Sequence, residues 1–337
     1  MSHETNTPGA GTLASLCLVL AAATAVPDLS ATAAERAPAP KRSPNAALVY
    51  WQAFALLPDV DAKTDPAANW KKAGIDDKVR KLLKQADQAL RLMHKASTID
   101  TCDWGIDWSD GPGTLLPHLG KARRLARLAM LRARVRLADG QTDTALADIA
   151  AALRLGRQVG RDGVFIEMLV QFAIEGEALE ALGAQLPNLT AVQRKALAGQ
   201  LDRLPAGTDV SQAILAEKAG IVDWMVDRMR AGGRDALTAT VGQDLAKMPG
   251  PLKDKTVAEL LALLDDLGDT YAAVSRAAAL PPDQAAAKLR QIEKGLGTSP
   301  NPFVRILLPT VSNIFEKQVA LFKQRKALRA RLSAPSR

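Results

Sequence analysis

From Ser43 onward the chain repeats one plan: an apolar segment with helical period, a Gly or Pro break, and another such segment. No stretch of useful length alternates with a period of two. Alanine and leucine fill most apolar positions, and aromatic residues are only 4% of the chain. Strands favour β-branched and aromatic side chains, whereas alanine and straight-chain residues favour helix. The pattern therefore specifies an all-α fold, an array of antiparallel helical hairpins built either as a tetratricopeptide-like solenoid or as an irregular helical bundle. Helices are expected near 44–57, 76–97, 115–138, 142–158, 163–185, 190–203, 208–231, 233–247, 253–279, 282–294 and 302–332. With 337 residues, 47% of them hydrophobic, a sizeable core is available.

Ser43-Pro44 offers an N-cap followed by proline at the first helical position, and Leu48, Trp51 and Ala55 fall at core spacing in the helix that follows. The organisation expected is a helical-hairpin region over 44–204 and a second helical region over 205–337. One hairpin carries a partial repeat signature. In ARVRLADGQTDTALADIAAAL, Gly140 marks the turn, and Ala133, Ala145, Ile149 and Ala152 fall at the packing positions of a tetratricopeptide repeat. Arg132 and Arg136 stand where that repeat prefers apolar or aromatic residues, and no second copy follows at the repeat's period of about 34 residues.

Four segments carry a wider resemblance: NAALVYWQAFALLP, CDWGIDW, the block from Leu115 to Asp162, and NPFVRILLP. They resemble a family of secreted all-helical proteins frequent in planctomycete-type bacterial genomes. The likeness covers most of the chain from residue 45, and the middle block is its most specific part. It implies export and an all-helical fold, and it implies no activity.

Residues 12–26, TLASLCLVLAAATAV, form an uncharged apolar run too short to span a bilayer comfortably, followed by small-residue sites. We read residues 1–34 as a signal peptide, although MSHETNTPGAG before the run has no Lys or Arg, and residues 35–43 as a Pro-rich linker. The expected location is secreted or periplasmic, with no transmembrane helix in the mature chain. The formal net charge is +8; residues 1–34 hold only Glu4 and Asp28 as charged side chains, so their removal leaves 34 acids against 44 bases, or +10. That diffuse excess fits solubility first, and an unidentified protein or an anionic polymer as partner second. Nucleic acid is not an expected partner of an exported chain. Without the leader, Cys102 is the one remaining cysteine, so no intramolecular disulfide is expected.

The segment TCDWGIDWSDGPG, residues 101–113, is the most unusual text in the chain. Asp103, Trp104, Asp107 and Trp108 are binding candidates here. Their spacing lacks the terminal glutamate of a calcium loop, and the composition suits a packed connector between helices. His118, after Pro117, is a further candidate, though no short ligand spacing supports a metal site and none is expected. Glu167, Gln171 and Glu175 lie four apart on an otherwise apolar helix, one polar stripe that either pairs with arginines of preceding helices, such as Arg123, Arg127, Arg134, Arg154 or Arg157, or floors a ligand groove. The last helix, FEKQVALFKQRKALRARL, places Lys317, Lys323, Arg325, Lys326, Arg329 and Arg331 around an apolar stripe, a pattern compatible with peripheral contact to an anionic surface.

No phosphate loop, nucleophile elbow or close Cys–His pair is present, and no cofactor or catalytic residue is assigned. The expectation is a non-catalytic scaffold or binding protein of the cell envelope. The alternative is a hydrolase or lyase acting on an anionic polymer, with Asp103, Asp107 and His118 as its acid–base groups.

Overall fold

Polar side chains write many of the helix starts. Thr190, Asp209 and Thr256 each accept a hydrogen bond from the backbone N–H three residues on. Gln193, Gln212 and Glu259 return the bond to the cap's own backbone, so both orphan donors are satisfied. The computed structural model describes residues 43–241, 252 and 254–334. The expected leader and the linker through residue 42 lie outside the described residues. So do residues 242–247 of the helix expected over 233–247, residue 253 of the next, and the last three residues of the chain.

The described residues form helices with no strand among them, so the fold is all-α. In chain order these are α1 (Ala46–Ala55), α2 (Asp77–Gln85), α3 (Asp87–Ala96), α4 (His118–Ala138), α5 (Thr142–Val159), α6 (Phe165–Gln185), α7 (Ala191–Asp202) and α8 (Val210–Glu217). A π-helical turn, Lys218–Asp223, leads into α9 (Trp224–Val241), which kinks where Gly232 and Gly233 leave the helical conformation. They are followed by α10 (Val257–Ala278), α11 (Pro282–Leu296), α12 (Pro302–Leu307) and α13 (Ser312–Ser333). No described helix is long and apolar enough to cross a membrane.

Several expectations need correction. The helix expected over 76–97 is two helices, α2 and α3, joined at wholly buried Ala86, and the bend lets both short apolar stripes face one core. The helix expected over 302–332 breaks at Leu308–Val311. Pro309 can neither donate a backbone hydrogen bond nor tolerate a helical residue before it, and Leu308 is extended, at φ −82° and ψ 119°. The first helix is capped by Asn45, not Ser43: the Asn45 Oδ1 accepts from the Ala47 N–H. Its buried face is Ala46, Ala47, Tyr50, Ala53 and Phe54, while Leu48 is 61% exposed and Ala55 also faces water. The amide of Asn45 also brackets the backbone of Asp103, donating to its carbonyl at 2.8 Å and accepting from its N–H at 2.9 Å. A long-range pairing thus fixes where α1 begins and which way it faces.

The helices pack around two apolar clusters. The first takes α1 to α5, α7 and the C-terminal part of α6 through Ile174, Ala178, Leu179 and Leu182. The second takes α8 to α12 and the start of α6 through Phe165 and Met168. The last helix belongs to both, with Phe315 in the second cluster and Leu328 and Leu332 in the first. Among the described helices, only α6 and α13 run through both cores, and the space between them is where those cores meet.

The α4–α5 hairpin turns at Gly140, whose φ of 76° a side chain would resist. Ala133, Ala145, Ile149 and Ala152 are buried inside the first core. Arg132 and Arg136 have a specific task. Both pair with Asp148 of α5, at 2.6 and 2.7 Å, and His94 reaches the same fully buried carboxylate at 2.7 Å. Burial alone would raise the Asp148 carboxyl, but the His94 and Arg132 hydrogen bonds and the arginine charges outweigh it and hold it below the usual range.

Candidate functional site

The 101–113 segment turns on its own side chains. The Asp103 carboxylate accepts from the Gly105 N–H and the Asp107 carboxylate from the Ser109 N–H, each at 2.9 Å, which are the local turns that aspartate favours. Both aspartates are exposed. The bond from Ser109 holds the Asp107 carboxyl below the usual range. No group of three or more His, Cys, Asp or Glu side chains arranged to hold a metal occurs among the described residues.

This segment is a strap that ties the two cores together. Trp104 is buried in the first core and donates from Nε1 to the Gln158 carbonyl at 2.9 Å. At the other end the Ser109 carbonyl accepts from Trp224 at 2.9 Å and from Arg228 at 3.2 Å, both on α9. Gly111 sits at φ 53° directly against the Trp224 ring, where any Cβ would overlap the indole. Trp108 is only half-buried. Cys102, buried beside Trp104, has its thiol pushed up to about 12 by burial, which leaves it unreactive near neutral pH.

Trp104 also covers His118. The two rings stack at 4.6 Å, and Tyr50, Trp51 and Phe54 of α1 complete the aromatic enclosure around Trp104. Behind the imidazole lies Glu167 of α6, its Oε1 3.4 Å from Nε2, and both side chains are wholly enclosed. At that separation neither ring nitrogen and neither carboxylate oxygen has a well-formed hydrogen bond among the described residues. Burial raises the Glu167 carboxyl, and the neighbouring imidazole pulls it partly back. The pair is wholly enclosed and offers no face to a substrate.

The rest of the stripe lies elsewhere. Gln171 and Glu175 line an open cleft of about 890 Å³, between α6 and α13, closed at one side by residues 204–209. Small-ligand sites typically span about 300–1,000 Å³. Glu175 is paired with Arg157 at 2.7 Å, one of the arginines named from sequence, and burial raises its carboxyl against the pull of that guanidinium. Gln171 is committed to the backbone of Thr208, accepting from its N–H at 3.1 Å and donating to its carbonyl at 3.2 Å. Thr208 also donates from its hydroxyl to the Gly160 carbonyl. These bonds press Gly207 onto the Arg157 and Gln171 side chains so closely that a Cβ there would overlap them. The sequence-predicted stripe therefore divides: Glu167 goes to the closed histidine pair, and Gln171 and Glu175 go to the cleft floor.

The cleft wall is mainly apolar, formed by Phe172, Leu201, Leu204, Phe315, Val319 and Leu321. Its charges are unevenly committed. Glu175 is held by Arg157, Asp202 by Arg329, and Asp209 by the Gln212 N–H that it caps. Arg325 and Lys326 have no carboxylate partner among the described residues, and Arg325 lies only over the Phe322 ring, 5.8 Å from its centre. The acids are spent and two cations are not. Sequence reasoning identified the basic helix but not the 204–209 segment or Phe172, because PAGTD reads locally as an ordinary connector. Its contact with Gln171 spans 37 residues. Set beside known proteins, the chain matches no family model, no curated protein and no solved structure.

Proposed function

We propose that this chain is a non-catalytic binding protein of the cell envelope, and that the cleft between α6 and α13 is where it holds an elongated anionic partner. One observation carries the reading: the cleft opens where the two cores meet, its carboxylates are all engaged within the protein, and its uncommitted charges, Arg325 and Lys326, are both cationic. Export, which the leader and the family resemblance suggest, would place such a site among envelope lipids and polymers. The stacked hairpins serve as the rigid frame, and the α4–α5 pair is compatible with a degenerate tetratricopeptide-like unit.

Acid–base chemistry at residues 101–118 has less support. Asp103 and Asp107 are exposed and bonded into their own turns, and His118 has no accessible surface to receive or deliver a proton. Hydrogen-exchange mapping tests the binding reading. The chain is incubated with lipid, polymer and protein fractions of a bacterial envelope, and slowed exchange is expected at 204–209 and 315–329. Slowed exchange confined to 101–118, or none at all, would overturn it.

A further inference from the structure

We infer that the cleft takes a single-chain amphiphile with an anionic head group, an inference that rests on the cleft being the binding site. Three features select this chemistry. The interior offers apolar side chains, Phe172 of α6 and Phe315 and Val319 of α13, with no uncommitted acid among them. The mouth keeps large apolar side chains in water, Leu280 at 40% and Phe322 at 56% exposure, beside the cations Arg325 and Lys326. Phe322 precedes those cations by three and four residues on α13, so apolar and cationic surface share one edge of the helix.

The backbone excludes an extended peptide as the better fit. The peptide groups of α6 and α13 are spent inside their helices, Pro205 has no N–H, and both polar backbone groups of Thr208 are held by Gln171. A peptide strand laid here would bury amides without partners, which is costly, whereas an acyl chain has none to satisfy. The charged end of an amphiphile would meet Arg325 and Lys326 at the solvent edge. A guanidinium and an ammonium suit either a carboxylate or a phosphate, so a free fatty acid and a phosphate-headed lipid share the required chemistry.

Titration calorimetry with defined amphiphiles, each kept below its micelle concentration, tests this. Octanoate, decanoate and dodecanoate should bind with affinity rising about fourfold for each added methylene, the increment of apolar burial. Dodecyl phosphate is the second arm, and whichever head group binds more tightly identifies the source. Dodecanol and dodecyltrimethylammonium should bind at least about tenfold more weakly, and Arg325→Ala with Lys326→Ala should weaken dodecanoate about tenfold. Both side chains reach solvent, so these variants should keep the wild-type melting temperature. Affinity independent of chain length, or equal binding of the cationic amphiphile, would overturn the inference. If no amphiphile binds while an envelope polymer or peptide fraction still protects the cleft from exchange, the ligand class is wrong and the site stands. If no fraction protects the cleft, the site itself is wrong.

Discussion

Truncating Trp104 to Ala should cost about 3–5 kcal/mol of folding free energy, the range for deleting a large buried aromatic. The structure says why the value belongs at that end. The ring stacks on His118 at 4.6 Å, Tyr50 at 5.7 Å and Phe54 at 6.0 Å, and meets Trp51 edge-on at 6.0 Å. Aromatic pairs of this kind add about 0.5–1.5 kcal/mol each beyond the area they bury. The truncation also takes from the Gln158 carbonyl the Nε1 donor at 2.9 Å, leaving it the weaker Cys102 thiol at 3.9 Å. Trp104→Phe isolates part of that effect: it keeps most of the ring and should lose about 1–3 kcal/mol, the cost of a buried acceptor deprived of its main donor. Trp108 is half-buried, so Trp108→Ala should cost clearly less than Trp104→Ala. Asp107→Ala removes one exposed turn bond and should lower stability far less than Trp104→Ala. Equilibrium urea denaturation followed by circular dichroism measures all four. Calcium is expected to leave every melting temperature unchanged. A Trp104→Ala loss no larger than that of Trp108→Ala would refute the packed-strap account, as would a calcium-dependent rise abolished by Asp107→Ala.

Three further outcomes follow from buried charge and backbone strain. Because the Asp148 carboxyl is held low by His94, Arg132 and Arg136, its stabilisation is present above the unfolded value near 3.9 and is lost as pH falls through the folded value. Asp148→Asn should therefore cost about 3–5 kcal/mol at neutral pH, with the gap to wild type closing below about pH 4 in a series of denaturant titrations. Glu175→Leu strands Arg157, whose side chain is only 8% exposed, and should cost about 3–5 kcal/mol, while the double change Arg157→Leu with Glu175→Leu should recover most of it in a double-mutant cycle. Gly111→Val forces a side chain into the Trp224 ring at a φ of 53°, and should speed amide exchange across 105–113 by at least about tenfold, where unchanged exchange would mean that the strap does not depend on this contact.

The helical class was legible because a 3.6-residue apolar period is written locally, and Pro309 was an equally local reason to split the last long helix. The facing of α1 was not. Its sequence is apolar on nearly every side from Leu48 to Leu57, so periodicity selects no face. Asn45 bonding to Asp103, and Tyr50 donating to Gln158 at 2.6 Å across 108 residues, make the selection instead. The split at Ala86 has no punctuating residue at all. At the site, Arg157 was one of several arginines able to reach the glutamate stripe, and its partnership with Glu175 needed only the neighbouring α5–α6 hairpin. The enclosure of His118 by Trp104 and Glu167 joins three segments with no shared pattern. So does the closure of the cleft by Gly207, where the informative fact is the side chain that is missing.

That the cleft, and not the tryptophan strap, is the working surface can be tested inside the cell. A photoreactive benzoylphenylalanine replaces Phe322 at the cleft mouth in one strain and Leu115, 83% exposed just after the strap, in another. Irradiation of living cells followed by mass spectrometry of the recovered protein should reveal a discrete adduct from position 322 and none from position 115. It should disappear from position 322 when Arg325 and Lys326 are also changed to alanine. An adduct from position 115 alone would contradict the account.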